Sequence, residues 1–366
     1  MDDDRPLFFH VMAYADDADR DVIDMVSGDP DWEPPTALRE GIREFADAPV
    51  ADYQYPPSEG RGDLRDLLAD RHDVPVERLV VTNGGGEANH LAMACGLAAH
   101  SGNEVILTDP VYPYYADRAE LLGADVTYVP VAADGTLDPA DVRAVASEET
   151  ALIVACSPNN PTGAVYGESV KRELTDIAES NDALYVSDEV YEEFDFSGRF
   201  HSALAFDSDH VAVTNSVSKA MATTGLRVGY AILPDHLVDP VRTRHMLTNV
   251  AVTAPGQHAA LKALRETPDE YYAETRAMLE SRIEHFCGAL DAAGAEYIQP
   301  QGAFYVLARF DGFPGTLDNT KRLIDEAGVA GMPGDAFGSA REEWLRFALV
   351  SPRATEAADR LAEYFA

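Results

Sequence analysis

Between about residues 62 and 234, short and nearly continuous apolar runs alternate with helical stretches, and this alternation limits the fold more than any other feature. The runs are Leu79-Val80-Val81-Thr82, Val105-Ile106-Leu107-Thr108, Ala151-Leu152-Ile153-Val154-Ala155, Ala183-Leu184-Tyr185-Val186-Ser187, Val211-Ala212-Val213-Thr214 and Val228-Gly229-Tyr230-Ala231-Ile232-Leu233. Helical stretches are expected over about 87–99, up to 122, and over 168–179. Strands that are apolar on both sides need covering on both sides, so the expected fold is α/β, a mostly parallel, doubly wound sheet. After Pro240 the pattern changes to long helical stretches over about 240–293, extended segments near 297–310 and 344–350, and a terminal helix. This predicts a smaller α+β domain. Residues 1–45 read as an irregular arm broken by Pro30, Pro34 and Pro35, with a helix at about 35–46, returning to the small domain. The expected division is an arm over 1–45, a large domain over 46–240 and a small domain over 241–366. A length of 366 residues allows two domains.

In such sheets ligands bind beyond the carboxyl ends of the strands. There the chain carries Asn83-Gly84-Gly85-Gly86, Asp109-Pro110-Val111-Tyr112, the segment from Ser157 to Gly163, Asp188-Glu189-Val190-Tyr191 and Asn215-Ser216-Val217-Ser218-Lys219. If they converge, one rim holds an anion nest, an aromatic ring, an amide, a carboxylate with a phenol, and a lysine. Glycines between strand and helix let backbone N–H groups approach an anion at a helix N-terminus. Alone they are as readily a flexible turn, and neither a Walker loop nor a G-x-G-x-x-G spacing is present. Lys219 weighs more. The chain has only four lysines, Lys171, Lys219, Lys262 and Lys321, and Lys219 sits among Ser216, Ser218 and Ala220 at a strand end. A Schiff-base lysine has to be partly desolvated for its amine to be neutral. Arg227, eight residues on, would complete a phosphate site with Ser216 and the glycines.

Composition excludes several classes. There are 64 acidic residues against 28 basic ones, a net charge of −36. No basic stripe exists to neutralise nucleic-acid phosphates. Dense carboxylates and few lysines are what a salt-rich cytoplasm favours, so a halophile-like cytoplasmic protein is expected. No uncharged apolar stretch reaches the roughly 20 residues of a membrane helix. The acidic start Met1-Asp2-Asp3-Asp4 lacks the features of a signal peptide. Cys95, Cys156 and Cys287 are too scattered for a disulfide framework, no H-E-x-x-H pair occurs, and no metal site is expected.

Taken in order, these segments resemble the fold-type I pyridoxal-phosphate (PLP) aminotransferases of the class I/II group, which includes aspartate and aromatic aminotransferases. Ser216-Val217-Ser218-Lys219 with Thr224-Gly225-Leu226-Arg227-Val228-Gly229 is similar to the family's S-x-S-K…T-G-x-R-x-G signature. Asn160-Pro161-Thr162-Gly163 matches its N-P-T-G, Asp188 to Tyr191 its D-E-x-Y, and Thr82 to Ala88 its T-x-G-x-x-x-A. Tyr53 to Arg65 resembles its Y-x-Y…G…L-R stretch. Gly302-Ala303-Phe304-Tyr305 and Leu345-Arg346-Phe347 resemble its C-terminal part. Leu226 stands where many relatives carry Trp, and Ser157 where many carry Asn; both bear on pocket shape.

The resemblance implies a role for each matched residue. Lys219 would bond the cofactor and later shuttle the α-proton. Asp188 would pair with the pyridine nitrogen, Tyr191 and Asn160 would hydrogen-bond the phenolic oxygen, and Tyr112 would stack on the ring. Gly85, Gly86, Ser216 and Arg227 would hold the phosphate, joined by Tyr55 from a partner subunit in a homodimer with shared sites. Arg346 would clamp the substrate α-carboxylate, helped by Gly28 and Asn160. The implied reaction moves an amino group from an α-amino acid to a 2-oxo acid by ping-pong chemistry. A PLP-dependent lyase or decarboxylase is the alternative on the same scaffold. A non-catalytic PLP-binding regulator is a third, disfavoured by the acidic balance and by an arm with no room for a DNA-binding module.

Overall fold

The computed structural model describes residues 6–366; the acidic start lies outside them. In chain order the strands are β1 (Ile23–Asp24), β2 (Leu79–Thr82), β3 (Glu104–Asp109), β4 (Asp125–Pro130), β5 (Thr150–Cys156), β6 (Leu184–Asp188), β7 (Val211–Ser216), β8 (Gly229–Ile232), β9 (Glu296–Tyr297), β10 (Tyr305–Arg309), β11 (Val329–Ala330), β12 (Met332–Pro333) and β13 (Leu345–Ala348). The helices are α1 (Leu7–Asp16), α2 (Thr36–Ala46), α3 (Gly62–His72), α4 (Gly85–Ala99), α5 (Pro113–Leu121), α6 (Pro139–Val145), α7 (Glu168–Ser180), α8 (Asp235–Asn249), α9 (Ala254–Glu266), α10 (Asp269–Ala292), α11 (Leu317–Ala327) and α12 (Ala354–Phe365). None is long and apolar enough to cross a membrane.

Seven strands form one sheet in the order β2-β8-β7-β6-β5-β3-β4. The pairs β7–β6, β6–β5, β5–β3 and β3–β4 are parallel; β8 runs antiparallel to both β2 and β7. The sheet is therefore the mostly parallel one expected. Alternation along single strands feeds opposite covers. Val154 of β5 joins Leu91 and Ala92 of α4 in one core, while Ile153 joins Leu174 and Ile177 of α7 in another. Each fully buried aliphatic side chain of this kind contributes roughly 1.5–3 kcal/mol. All seven β5 residues are buried, which is why that run reads as continuous apolar sequence.

The second sheet is antiparallel, in the order β12-β13-β10-β9, and β1 pairs in parallel with β11. Its core joins Phe286 and Leu290 of α10, Val306 of β10, Phe347 of β13 and Leu361 of α12 with Ile23 and Met25 from the N-terminal segment. Helix α9 packs instead on α2 and α3, and its Ala259, Ala260 and Ala263 share a core with Leu79 and Val81 of β2 and Ile232 of β8.

Two elements differ from the sequence expectation, and a third completes it. The arm is not irregular throughout, because α1 spans ten of its residues. Leu7, Phe8, Val11, Met12 and Ala15 recur at helical spacing and pack against α11 and β12. Strand β4 was not expected. It is an edge strand with only Val129 buried, so it lacks the apolar run of its neighbours. Strand β8, whose direction the sequence leaves open, is antiparallel because β7 and β8 are joined by the loop that carries Lys219 and Arg227, without a crossover helix.

Candidate active site

The carboxyl ends of β2, β3, β5, β6 and β7 open on one cavity of about 410 Å³, closed from the other side by β10, β12, β13 and the segment after β1. Eleven of the twelve residues singled out from sequence line it: Gly28, Gly85, Gly86, Tyr112, Asn160, Asp188, Tyr191, Ser216, Lys219, Arg227 and Arg346. Tyr55 does not; its side chain is 85% exposed on this chain's surface.

Lys219 follows β7 in a loop closed by the hydrogen bond from Met221 N to Val217 O at 3.1 Å. Its amine donates to the Gly28 carbonyl at 2.6 Å. Burial pushes its pKa down to about 8; nearby Asp29 works the other way, and Arg346 and Arg227 add to the depression. Position 28 is glycine because a Cβ there would collide with the Tyr305 hydroxyl.

Asp188 ends β6 and is 4% exposed. It accepts from Asn89 Nδ2 at 2.7 Å, from the Tyr115 hydroxyl and from Val190 N at 3.1 Å, all neutral donors. Burial raises its pKa, and the hydrogen bonds from Tyr115 and Asn89 oppose that rise. Tyr191 shares a 2.9 Å hydrogen bond with Tyr305. Burial pushes the Tyr191 phenol well above its ordinary range.

At the other end of the cavity, Gly84 has φ +81° and leads into α4. A side chain there would run into the Arg227 guanidinium. Arg227 donates to Thr224 O and to Asn83 O, both at 2.9 Å, which fixes its fork against Gly84 at the start of α4. Arg346, on β13 and 5% exposed, donates to Asn160 Oδ1 at 3.2 Å and to the Val26 carbonyl. Its guanidinium lies 4.7 Å from the Tyr305 ring centre and 4.9 Å from that of Phe337. Its Nε has no partner among the described residues, and neither has the Ser218 hydroxyl, also buried in the cavity wall.

Asn89, Tyr115, Tyr305, Phe8 and Arg118 also line the cavity but were not assigned roles from sequence. Asn89 carried a signal, being a polar residue in an apolar helix, buried and bonded to Thr214 Oγ1 besides Asp188.

These features fit pyridoxal phosphate. A buried carboxylate served only by neutral donors suits a cationic ring N–H, a desolvated amine suits a covalent bond to an aldehyde, and the glycine cradle beside Arg227 suits a phosphate. The family model described as aminotransferase class I and II matches residues 20–365. The chain belongs to that family. A probable aspartate/prephenate aminotransferase of Thermus aquaticus is 31% identical, covering 94% of this chain and 91% of its own length. An aspartate aminotransferase of Thermotoga maritima is 30% identical, covering 94% and 91%. The structure of Thermus thermophilus aspartate aminotransferase with maleate superposes with a TM-score of 0.90 at 29% identity, covering 98% of this chain and 96% of that one. The class I/II aminotransferase described here is thus a fold-type I PLP-dependent transaminase, moving amino groups between amino acids and oxo acids. Nothing among these relatives favours the lyase alternative.

Proposed function

We propose that this aminotransferase acts on aspartate-like and related α-amino acids with Lys219 as the cofactor-bonded, proton-transferring residue. The observation that carries this is the placement of a desolvated amine and a buried carboxylate, Asp188, that makes no ion pair among the described residues, in one cavity. Bound there, pyridoxal phosphate supplies an electron sink for negative charge at the substrate α-carbon. Asp188 would hold the ring N–H, Tyr191 and Asn160 would donate to the phenolic oxygen, and Tyr112 would lie against the ring. Gly85, Gly86, Ser216 and Arg227 hold the phosphate. Arg346 grips the α-carboxylate, and Gly28 orients the Lys219 amine through its carbonyl. A carboxylate paired with a guanidinium is disfavoured from leaving as neutral carbon dioxide. The α-proton, taken by Lys219, is the group that departs.

Arg346→Ala is expected to lower kcat/KM for donor and acceptor alike by roughly 100-fold or more, because both present the same carboxylate. Arg346→Lys should restore only part, since an ammonium cannot reproduce the two-pronged contact. Steady-state kinetics on both substrates read this; a loss confined to one of them would contradict it.

We read the working unit as a homodimer in which Tyr55 serves the partner's phosphate site. Support comes from its exposure here, beside exposed Val50 and Tyr53, and from its place in the Y-x-Y stretch. Sedimentation at assay concentration should find the activity in the dimer, and a fully active monomer would refute it. As working units we propose a large domain over 46–240, extended by α8 and α9, and a small domain that begins in α10 and takes in the arm.

The acidic composition supports a salt-rich cytoplasm. With 64 acidic against 28 basic residues, repulsion grows as screening is removed; the Debye length rises from about 3 Å at 1 M to about 30 Å at 0.01 M salt. Thermal midpoints should fall steadily over that dilution. A midpoint unchanged across it would overturn the reading.

A further inference from the structure

We propose that Arg118 is a third anion-holding guanidinium of the active-site cavity, set at the Gly86 edge of the glycine cradle to receive a phosphate or carboxylate oxyanion. Arg118 lies on α5, one turn beyond Tyr114. Its Nη1 donates to the Tyr114 carbonyl at 3.0 Å, and its guanidinium lies 5.8 Å from the Tyr114 ring centre. That anchors one side of the fork. The other side reaches the cradle: Nη2 lies 3.2 Å from where a Cβ on Gly86 would stand. Arg227 flanks the same cradle at Gly84, so two guanidiniums bracket the first turn of α4. Arg346 is the remaining one in the cavity wall among the described residues, held at Asn160 and Val26.

No ion pair among the described residues involves any of these three arginines, although acidic residues outnumber basic ones by more than two to one. Among the described residues the carboxylates in the cavity wall are Asp29 and Asp188, and Asp188 is already served by neutral donors. A second observation points to an absent acceptor in this cavity: Ser218, 5% exposed and in the same wall, has a hydroxyl with no partner among the described residues. A planar guanidinium with one free edge beside helix N–H groups matches an oxyanion by charge and by hydrogen-bond geometry. Two anions of the reaction fit that chemistry, the cofactor phosphate and the side-chain carboxylate of a dicarboxylic substrate. The inference rests on the aminotransferase reading of the cavity and adds to it a residue that sets which anions are held.

The test uses Arg118→Met, which keeps an unbranched apolar stem and removes the charge, alongside Arg118→Lys. The apoprotein is titrated with pyridoxal phosphate and with pyridoxal, which lacks the phosphate. The holoenzyme is assayed with aspartate and with leucine as donors. If the phosphate is the anion, Arg118→Met raises the Kd for pyridoxal phosphate by about 10- to 100-fold and leaves that for pyridoxal unchanged. If the substrate carboxylate is the anion, kcat/KM falls by a similar factor for aspartate, with leucine and both Kd values unchanged. In either case Arg118→Lys recovers part of the loss. Equal shifts for pyridoxal phosphate and pyridoxal, or for aspartate and leucine, would mean a merely structural role and overturn the proposal, as would no shift at all. Wild-type enzyme that turned over no amino acid would count against the functional reading instead, while the cofactor titrations would still decide the phosphate arm.

Discussion

Lys219→Ala is expected to lower kcat by about 10⁴-fold, the upper end of what a positioned proton-transfer group supplies. The loss has two sources, since the amine both bonds the cofactor and moves the α-proton. A small amine added to the assay should restore part of the rate in the variant, which a folding defect would not allow. The wild-type protein carries a matching pH signature. With the amine pKa depressed to about 8 by burial, roughly a tenth of it is neutral at pH 7, against about 0.03% at the ordinary lysine value. Cofactor capture by the apoprotein should therefore climb about tenfold per pH unit below that point and level off above it. A loss of less than tenfold in Lys219→Ala, or capture independent of pH over this range, would contradict the assignment.

Asp188→Asn is expected to lower kcat by about three orders of magnitude. Two unit charges ~4 Å apart at an effective dielectric of ~20 interact by about 4 kcal/mol, and that much transition-state stabilisation is about 10³ in rate. The shape of the side chain is nearly kept, so the loss reports charge. Stability supplies a second readout. Burial raises the Asp188 pKa above its ordinary 3.8 in the folded protein. The folded apoprotein thus binds more protons than the unfolded chain just above that value, and this residue adds stability as pH falls. The wild-type melting point should gain on that of Asp188→Asn as pH is lowered towards 4. A gap that stays constant with pH would show that the carboxylate is not strained by burial.

Much of the site was legible because sheet topology turns sequence order into spatial neighbourhood. Once β2, β3, β5, β6 and β7 lie parallel, their following residues share one rim, and Gly85, Tyr112, Asn160, Asp188 and Lys219 converge without further information. The other half of the cavity was legible only through the resemblance. Nothing in the pattern of β13 alone says that Arg346 turns inward to meet Asn160, 186 positions away. What was missed has physical reasons. Helix α1 carries a helical apolar spacing that the prolines downstream overshadowed, so Phe8 was not placed at the cavity. Strand β4 keeps most of its residues at the surface and offers no apolar run. Arg118 sits on an ordinary polar helix turn, and only the fold brings it to Gly86. Its three free cysteines and the buried Lys171–Glu189 pair, 2.8 Å apart and both fully buried, lie outside the proposed chemistry except for Cys156 in the cavity wall. The pair accounts for one of the four lysines without surface exposure, as expected of a chain that keeps lysine off its surface.

In the proposed reaction this cavity releases the α-proton and keeps the carboxylate. A single-turnover experiment with aspartate labelled at its α-carboxyl carbon, holoenzyme in excess and no oxo acid present, tests it most directly. The label is expected in an oxo acid, one equivalent for each aspartate consumed, and with aspartate in excess the release should stop at one equivalent per active site. Label recovered as carbon dioxide, or in a new amino acid formed continuously past one equivalent, would contradict it.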